Sequence, residues 1–306
     1  MLFINEKKIL KIFSLEQLKE IYLNAKNENI RNTSLDRIHM IALDFKESLE
    51  YPKSIRENNN YKGDTINLLS ELCDLRSFDV ILICLGNLLT RENALDALNM
   101  LNEKYKVKDI ENILHFDFNF NDDGNVCDER ITKAFLKYLH IMYQNEPFKF
   151  DREDAALIKY LGKCEVKEFS PLLVSIFSNI GFFKDTEWGK SSVFEACILA
   201  MNNLVPVNAI FPLLKHIGNK HYDTDIIKTL TLILQKSIDL VKDNELEVLS
   251  GSKDVIHVYS SGGPSEYDEY TSSVRGYNSI HSDTYSMEQI RILAANELKK
   301  RNKLIL

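Results

Sequence analysis

Glycine and proline are scarce in this chain, 11 and 6 among 306 residues. A turn-rich all-β fold uses both at its corners, so the shortage argues against that class and suits helices joined by short loops. A basic block is missing too. Lys and Arg number 38 against 45 Asp and Glu, a net charge of −7, and the cations are interleaved with anions along the chain. A nucleic-acid binder needs a basic face to displace counterions, so that class is disfavoured and a basic protein partner fits better. Long hydrophobic runs are also absent. The most apolar stretch, Val80 to Leu89, is about half of the ~20 residues that cross a bilayer.

The five cysteines, Cys73, Cys84, Cys127, Cys164 and Cys197, show no C-x-x-C spacing and lie in or beside apolar helical patterns. An odd count in such contexts predicts reduced core thiols in a cytoplasmic protein. At the amino end Asn5, Glu6, Lys7 and Lys8 follow Met1-Leu2-Phe3-Ile4, so no leader-like hydrophobic region develops. Signatures of catalysis or nucleotide binding are lacking as well: no G-x-S-x-G, H-E-x-x-H, G-x-x-x-x-G-K-[ST] or G-x-G-x-x-G occurs. No catalytic set, cofactor or metal is expected.

What is present is helical periodicity. Ser14-Leu15-Glu16-Gln17 reads as a capping box before Leu15, Leu18, Ile21, Tyr22 and Ala25. A second helix is expected from Thr33-Ser34, a third from Asp64, and a buried one over Phe78 to Leu89, with Gly86 a small residue for close helix approach. Phe116, Phe118 and Phe120 then alternate with polar residues, which predicts a short extended segment near 115–121. Helical patterns resume at Asp128 or Glu129.

From Asp151 to Lys242 the helices come in pairs. Ser170-Pro171-Leu172-Leu173 is echoed about 41 residues later by Phe211-Pro212-Leu213-Leu214, and Gly162, Gly181 and Gly218 are expected to close helices. These pairs, clearest over 151–218, resemble the HEAT/armadillo superfamily of helical repeats. The resemblance implies an all-α fold, an irregular stack of antiparallel helix pairs (an α-solenoid). The domain reading is 1–250 for the repeats, 251–286 for a Ser/Tyr/Gly-rich loop, and 287–306 for a C-terminal helix packing back on the repeats. Residues 251–286 hold nine Ser, five Tyr and four Gly with two cations against five anions.

Four clusters invite a functional reading. Asn119-x-Asn121-x-Asp123-Gly124-x-Val126 follows the start of an EF-hand loop, but its twelfth position is Arg130 where calcium requires a bidentate Glu. His216, His221, Asp223 and Asp225 carry ligand-type side chains around a helix-to-helix turn, where a solvated cap is the simpler account. Ser261-Gly262-Gly263-Pro264 is Gly-rich but lacks the Lys of a phosphate cradle. Loop aromatics and acids suit partner binding, because Tyr and Trp bury large area at small entropic cost. The candidate partner-binding residues are Asp117, Asp122, Asp123, Trp188, Tyr259, Tyr267, Asp268, Glu269, Tyr270 and Tyr277.

Helical repeats of the resembled kind are binding scaffolds. The expectation is a non-enzymatic cytoplasmic protein-binding scaffold, concretely a bacterial immunity-type protein that occludes a toxin. The alternatives are an enzyme whose site is built from the 115–130 and 251–286 segments, and a helical-repeat nucleic-acid binder, which the acidity disfavours.

Overall fold

The computed structural model describes residues 6–44, 52, 60–116, 127–145, 150, 152–180, 187–217, 222–262, 266–268, 273–275 and 278–304. Helices dominate. In order they are α1 (Glu6–Ile9), α2 (Leu15–Asn24), α3 (Glu28–Ala42), α4 (Tyr61–Leu72), α5 (Phe78–Cys84), α6 (Leu88–Tyr105), α7 (Lys108–Leu114) and α8 (Glu129–Asn145). Then come α9 (Arg152–Lys163), α10 (Ser170–Asn179), α11 (Glu187–Leu204), α12 (Ile210–His216), α13 (Asp223–Ser237), α14 (Asp243–Ser250) and α15 (Glu288–Leu304). No helix among the described residues is long and apolar enough to cross a membrane.

The chain divides into two compact units, Met1–Leu172 with Asn179–Ala200, and Leu173–Ser178 with Met201–Leu306. In the first, α2 packs on α3, α4 on α6, and α5 on α6 and α8. Leu18, Ile38, Leu69, Leu98, Phe135 and Leu161 are fully buried there, each worth about 2 kcal/mol of transfer free energy. In the second, α15 packs on α13 and α14 around Ile226, Leu230, Ile233, Leu246 and Ile290.

One turn recurs. Among the described residues, four other than glycine have left-handed backbone: Cys73 (φ 44°), Lys106 (φ 52°), Glu165 (φ 50°) and Val205 (φ 50°). Each ends a helix and is followed by one extended residue, Asp74, Val107, Val166 or Pro206, before the next helical turn begins. The N–H groups of Cys73, Lys106 and Val205 donate to carbonyls four residues back. At Glu165 the closure is a Schellman motif, with Val166 N–H on Leu161 C=O and Glu165 N–H on Gly162 C=O. A side chain at positive φ costs about 1 kcal/mol relative to glycine. Lys106 is exposed and packs on little, so Lys106→Gly is expected to raise unfolding stability by about 1 kcal/mol in urea denaturation; unchanged or lowered stability would mean that the side chain supports the turn.

Several local expectations are corrected. Helix α3 begins at Glu28, where the Asn27 side chain caps Asn29 N–H at 2.9 Å. Thr33 and Ser34 lie inside it because their hydroxyls bond back to the carbonyls of Asn29 (2.8 Å) and Leu18 (2.7 Å) instead of capping. Helix α4 starts at Tyr61, so Asp64 lies in its first turn. The apolar stretch 78–89 is broken after Cys84. Gly162 is no cap either: it lies within α9, where an added Cβ would come within 2.5 Å of Ala200 Cα and Cβ. Gly86 does serve close approach, since a Cβ there would stand 2.6 Å from the Tyr138 ring. The Ser14 cap is present, accepting from Gln17 N–H at 3.3 Å.

The expected extended segment near 115–121 does not begin at its first residues: His115 is the helical C-cap of α7 and Phe116 N–H donates to Ile113 C=O. Positions 117–121 lie outside the described residues. The expected long loop at 251–286 is corrected more substantially. Strands β1 (Val255–Gly262) and β4 (Asn278–Tyr285) pair antiparallel, from Val255 opposite Tyr285 to Gly262 opposite Asn278. Inside them β2 (Glu266–Asp268) pairs with β3 (Ser273–Arg275), Tyr267 opposite Val274, and the register shifts by one residue between the two ladders. β-Branched and aromatic residues (Val255, Ile256, Val258, Tyr259, Ile280, Thr284, Tyr285) stand among the serines and carry the strand preference.

Candidate functional site

A polar cluster is built on the first left-handed turn, between α4 and α5. Cys73 turns the chain and Asp74 follows extended, its carboxylate capping Arg76 N–H at 3.0 Å. The Arg76 guanidinium returns to the same carboxylate, Nε to Oδ1 at 3.0 Å and Nη2 to Oδ2 at 2.5 Å, and also donates to the Asn32 side chain. From α2, Tyr22 Oη donates to Asp74 Oδ2 at 2.6 Å. From α6, Lys104 Nζ and Tyr105 Oη donate to the Cys73 carbonyl at 2.8 and 3.0 Å. Two helices, α2 and α6, thus converge on two residues of one turn.

The electrostatics follow. The Arg76 hydrogen bonds hold the Asp74 carboxyl well below the usual carboxylate range, against the opposing effect of burial. Burial, reinforced by Asp74, raises the Tyr22 phenol. Exposed apolar side chains neighbour these residues in sequence, Leu23 (59% exposed) after Tyr22 and Leu75 (41%) after Asp74, and Tyr105 is itself exposed. Charge held rigidly beside exposed apolar surface is the composition of a recognition patch.

Next to it His39 Nε2 lies 2.9 Å from Ser77 Oγ, and the carboxylates of Asp36 and Asp74 act on the imidazole. The letters are those of a hydrolase triad, but the geometry is not. Ser77 has no solvent exposure, so no substrate carbonyl reaches its hydroxyl. Burial pushes the His39 pKa below its ordinary 6.5. The same holds for His216, which packs edge-on against Phe177 at 4.8 Å, so its ring is committed to packing. Bases whose folded-state pKa is depressed contribute fully above the unfolded value, and stability is lost as pH falls below it. The denaturation midpoint in urea is therefore expected to drop between pH 7.5 and pH 5, and His39→Gln to flatten that drop; equal slopes for the two proteins would contradict the assignment.

The second cluster lies at the start of α8. Asp128 caps the helix through Arg130 N–H (2.9 Å) and Ile131 N–H (3.3 Å), and its own N–H donates to Tyr160 Oη at 3.2 Å. Arg130 pairs with Asp109 and with Asp128. Burial raises the Asp128 carboxyl, but Arg130 and the two backbone donors outweigh it and the net shift is downward. The position where a calcium loop needs its bidentate carboxylate thus holds a cation already committed to two aspartates. Beside it Cys127 is disulfide-bonded to Cys164, Cα–Cα 5.5 Å. This corrects the expectation of five reduced core thiols: Cys73, Cys84 and Cys197 are free and buried, whereas the other two are joined. A separation of 37 residues carries no motif, so spacing could not announce the pair.

Four of the ten sequence-derived partner-binding residues fall among the described residues. Asp117, Asp122, Asp123, Glu269, Tyr270 and Tyr277 lie outside the described residues, as does His221. Trp188 belongs to the first turn of α11, not to a loop. Tyr259 lies in β1 opposite His281, and Tyr267 and Asp268 lie in β2 opposite Val274 and Ser273, so these three are strand residues. Sequence reasoning missed the Tyr22–Asp74–Arg76 cluster. Its one local signal was Asp74 two residues before Arg76, which any solvated turn also shows. Among the described residues, no group of three or more His, Cys, Asp or Glu side chains is placed to hold a metal ion.

No protein family, curated protein or solved structure matches the chain. The class defined by the fold is an all-α protein carrying a small antiparallel ribbon.

Proposed function

We propose that this chain is a non-enzymatic protein-binding scaffold of the HEAT/armadillo-like kind, acting in the cytoplasm. Its concrete form would be an immunity-type protein that occludes a toxin. The observation that carries the reading is the α4–α5 turn, where Leu75 and Tyr105 stand exposed beside the hydrogen-bonded Asp74–Arg76 pair, with Leu23 exposed next to Tyr22 in sequence. Apolar anchors beside fixed, fully paired charge bind protein surface without the ordering cost of loose side chains. The fourfold helix–turn–helix closure supports a repeat-like frame. A net charge of −7 favours a basic partner, attracted faster at low ionic strength. Used as bait in native lysate, the protein is expected to retain one stoichiometric protein at low salt, with slower capture as salt rises. Retention of nothing at either salt concentration contradicts the reading, and retention of nucleic acid alone replaces it.

A further inference from the structure

The cysteines are of two kinds. Burial pushes the Cys84 thiol up to about 12 and raises that of Cys197, so neither ionises near neutrality or reacts readily. Cys127 is exposed and Cys164 half-buried. Their bond joins two elements: Cys127 directly precedes Asp128, the cap of α8, and Cys164 directly follows α9 and precedes the left-handed Glu165. The other described ties at this joint are non-covalent. They include Asp128 N–H to Tyr160 Oη, the Phe116 and Phe135 ring edges on Tyr160 (centroids 5.7 and 5.8 Å), and Arg130 with Asp109. Behind them Leu139, Leu157 and Leu161 are fully buried without any part in the cross-link. The joint can therefore loosen while the core stays packed.

We propose that Cys127–Cys164 is a reversible redox clasp, closed as the disulfide and opened by a dithiol reductant, which pins or frees the first turn of α8. A thiolate of the reductant attacks the exposed Cys127 Sγ; the S–S bond breaks and Cys164 leaves as a thiolate that takes up a proton. The reductant's second thiol then attacks the mixed disulfide and releases Cys127 as a thiol. Two electrons and two protons pass to the cysteine pair, and the reductant ends as its own disulfide. In a compartment that keeps thiols reduced, an accessible pair of this kind responds to redox state and is no permanent staple. The clasp goes beyond the scaffold reading and stands without any partner.

The test uses the intact protein, dithiothreitol and iodoacetamide without denaturant, read by peptide mass spectrometry and amide hydrogen exchange. Cys127 and Cys164 are expected to be alkylated while Cys73, Cys84 and Cys197 remain unmodified. In a sample reduced without iodoacetamide, exchange should rise about tenfold or more at residues 129–132 and 164–166, stay unchanged in 88–105, and be restored by glutathione disulfide. The Cys127→Ser/Cys164→Ser double variant should show the open exchange pattern under both conditions. The clasp is overturned if the pair labels only together with the other three cysteines, if glutathione disulfide fails to re-form it, or if exchange at the joint ignores redox state.

Discussion

Gly162→Ala is expected to lower the unfolding free energy by about 2–3 kcal/mol, opposite in sign to its ordinary effect. Alanine in place of glycine within an open helix stabilises by about 0.5–1 kcal/mol, because it restricts the unfolded chain. At Gly162 the added Cβ would meet Ala200 Cα and Cβ at 2.5 Å, and neither can swing away. Overpacking of this kind forces the helices apart and costs more than the entropy returns. Gly63, also inside a helix, is the internal control. Its nearest neighbour is the Asn93 amide at 3.2 Å, the end of a side chain that can shift, so Gly63→Ala should be neutral or stabilising by up to about 1 kcal/mol. Urea denaturation of the two variants tests the pair. Equal effects would mean that α9 does not approach Ala200 as closely as the structure has it.

Arg301→Met should destabilise by about 2–3 kcal/mol, through groups left without their partner more than through lost attraction. The Arg301 guanidinium donates to the carbonyls of Val241 (2.8 Å) and Ile238 (2.9 Å), to Asp243 at 2.7 Å and to Glu297 at 3.0 Å. The Glu297 side chain is only 8% exposed, so removing Arg301 leaves a buried carboxylate with Lys300 at 3.3 Å as its remaining described cation. One side chain on α15 thus ties down the end of α13 and the start of α14. Lys300→Met is the comparison: its ion pairs are long and its ammonium exposed, which predicts a much smaller loss than that of Arg301→Met. Thermal denaturation of both variants separates the roles, and similar losses would show that the cluster acts only as diffuse charge. Arg301 is therefore a structural strut of the C-terminal helix.

These residues also show what a sequence carries and what it hides. Ser14 was legible because a hydroxyl three residues before Gln17 has one common use. Gly86 was legible as a close-approach residue, whereas Gly162 was not. Near a helix end glycine serves a cap or a tight crossing equally well, and only the position of Ala200 decides between them. The helix ends themselves were harder. Three of the recurring closures are made by Cys73, Lys106 and Val205, and nothing in those side chains announces positive φ, since the strain is borne by the packing of the helices they join. The ribbon at 255–285 was masked by its serines and glycines, which lower the apparent strand preference although Val255, Ile256, Val258 and Tyr259 supply it. The α4–α5 cluster was illegible for another reason. Tyr22, Asp74 and Tyr105 are far apart in sequence, and only the pairing of α2, α4 and α6 brings them to one turn.

The central claim, that exposed apolar anchors beside the Asp74–Arg76 pair make this chain a binding scaffold, is tested most directly by partner capture with a surface variant. Leu23→Asp/Leu75→Asp changes two exposed side chains and should leave the circular dichroism spectrum and melting temperature close to those of the unaltered protein. The account predicts that the stoichiometric partner retained by the unaltered protein is lost, or bound at least about tenfold more weakly, by this variant. Undiminished retention by a folded variant would contradict it and would move the binding surface away from this turn.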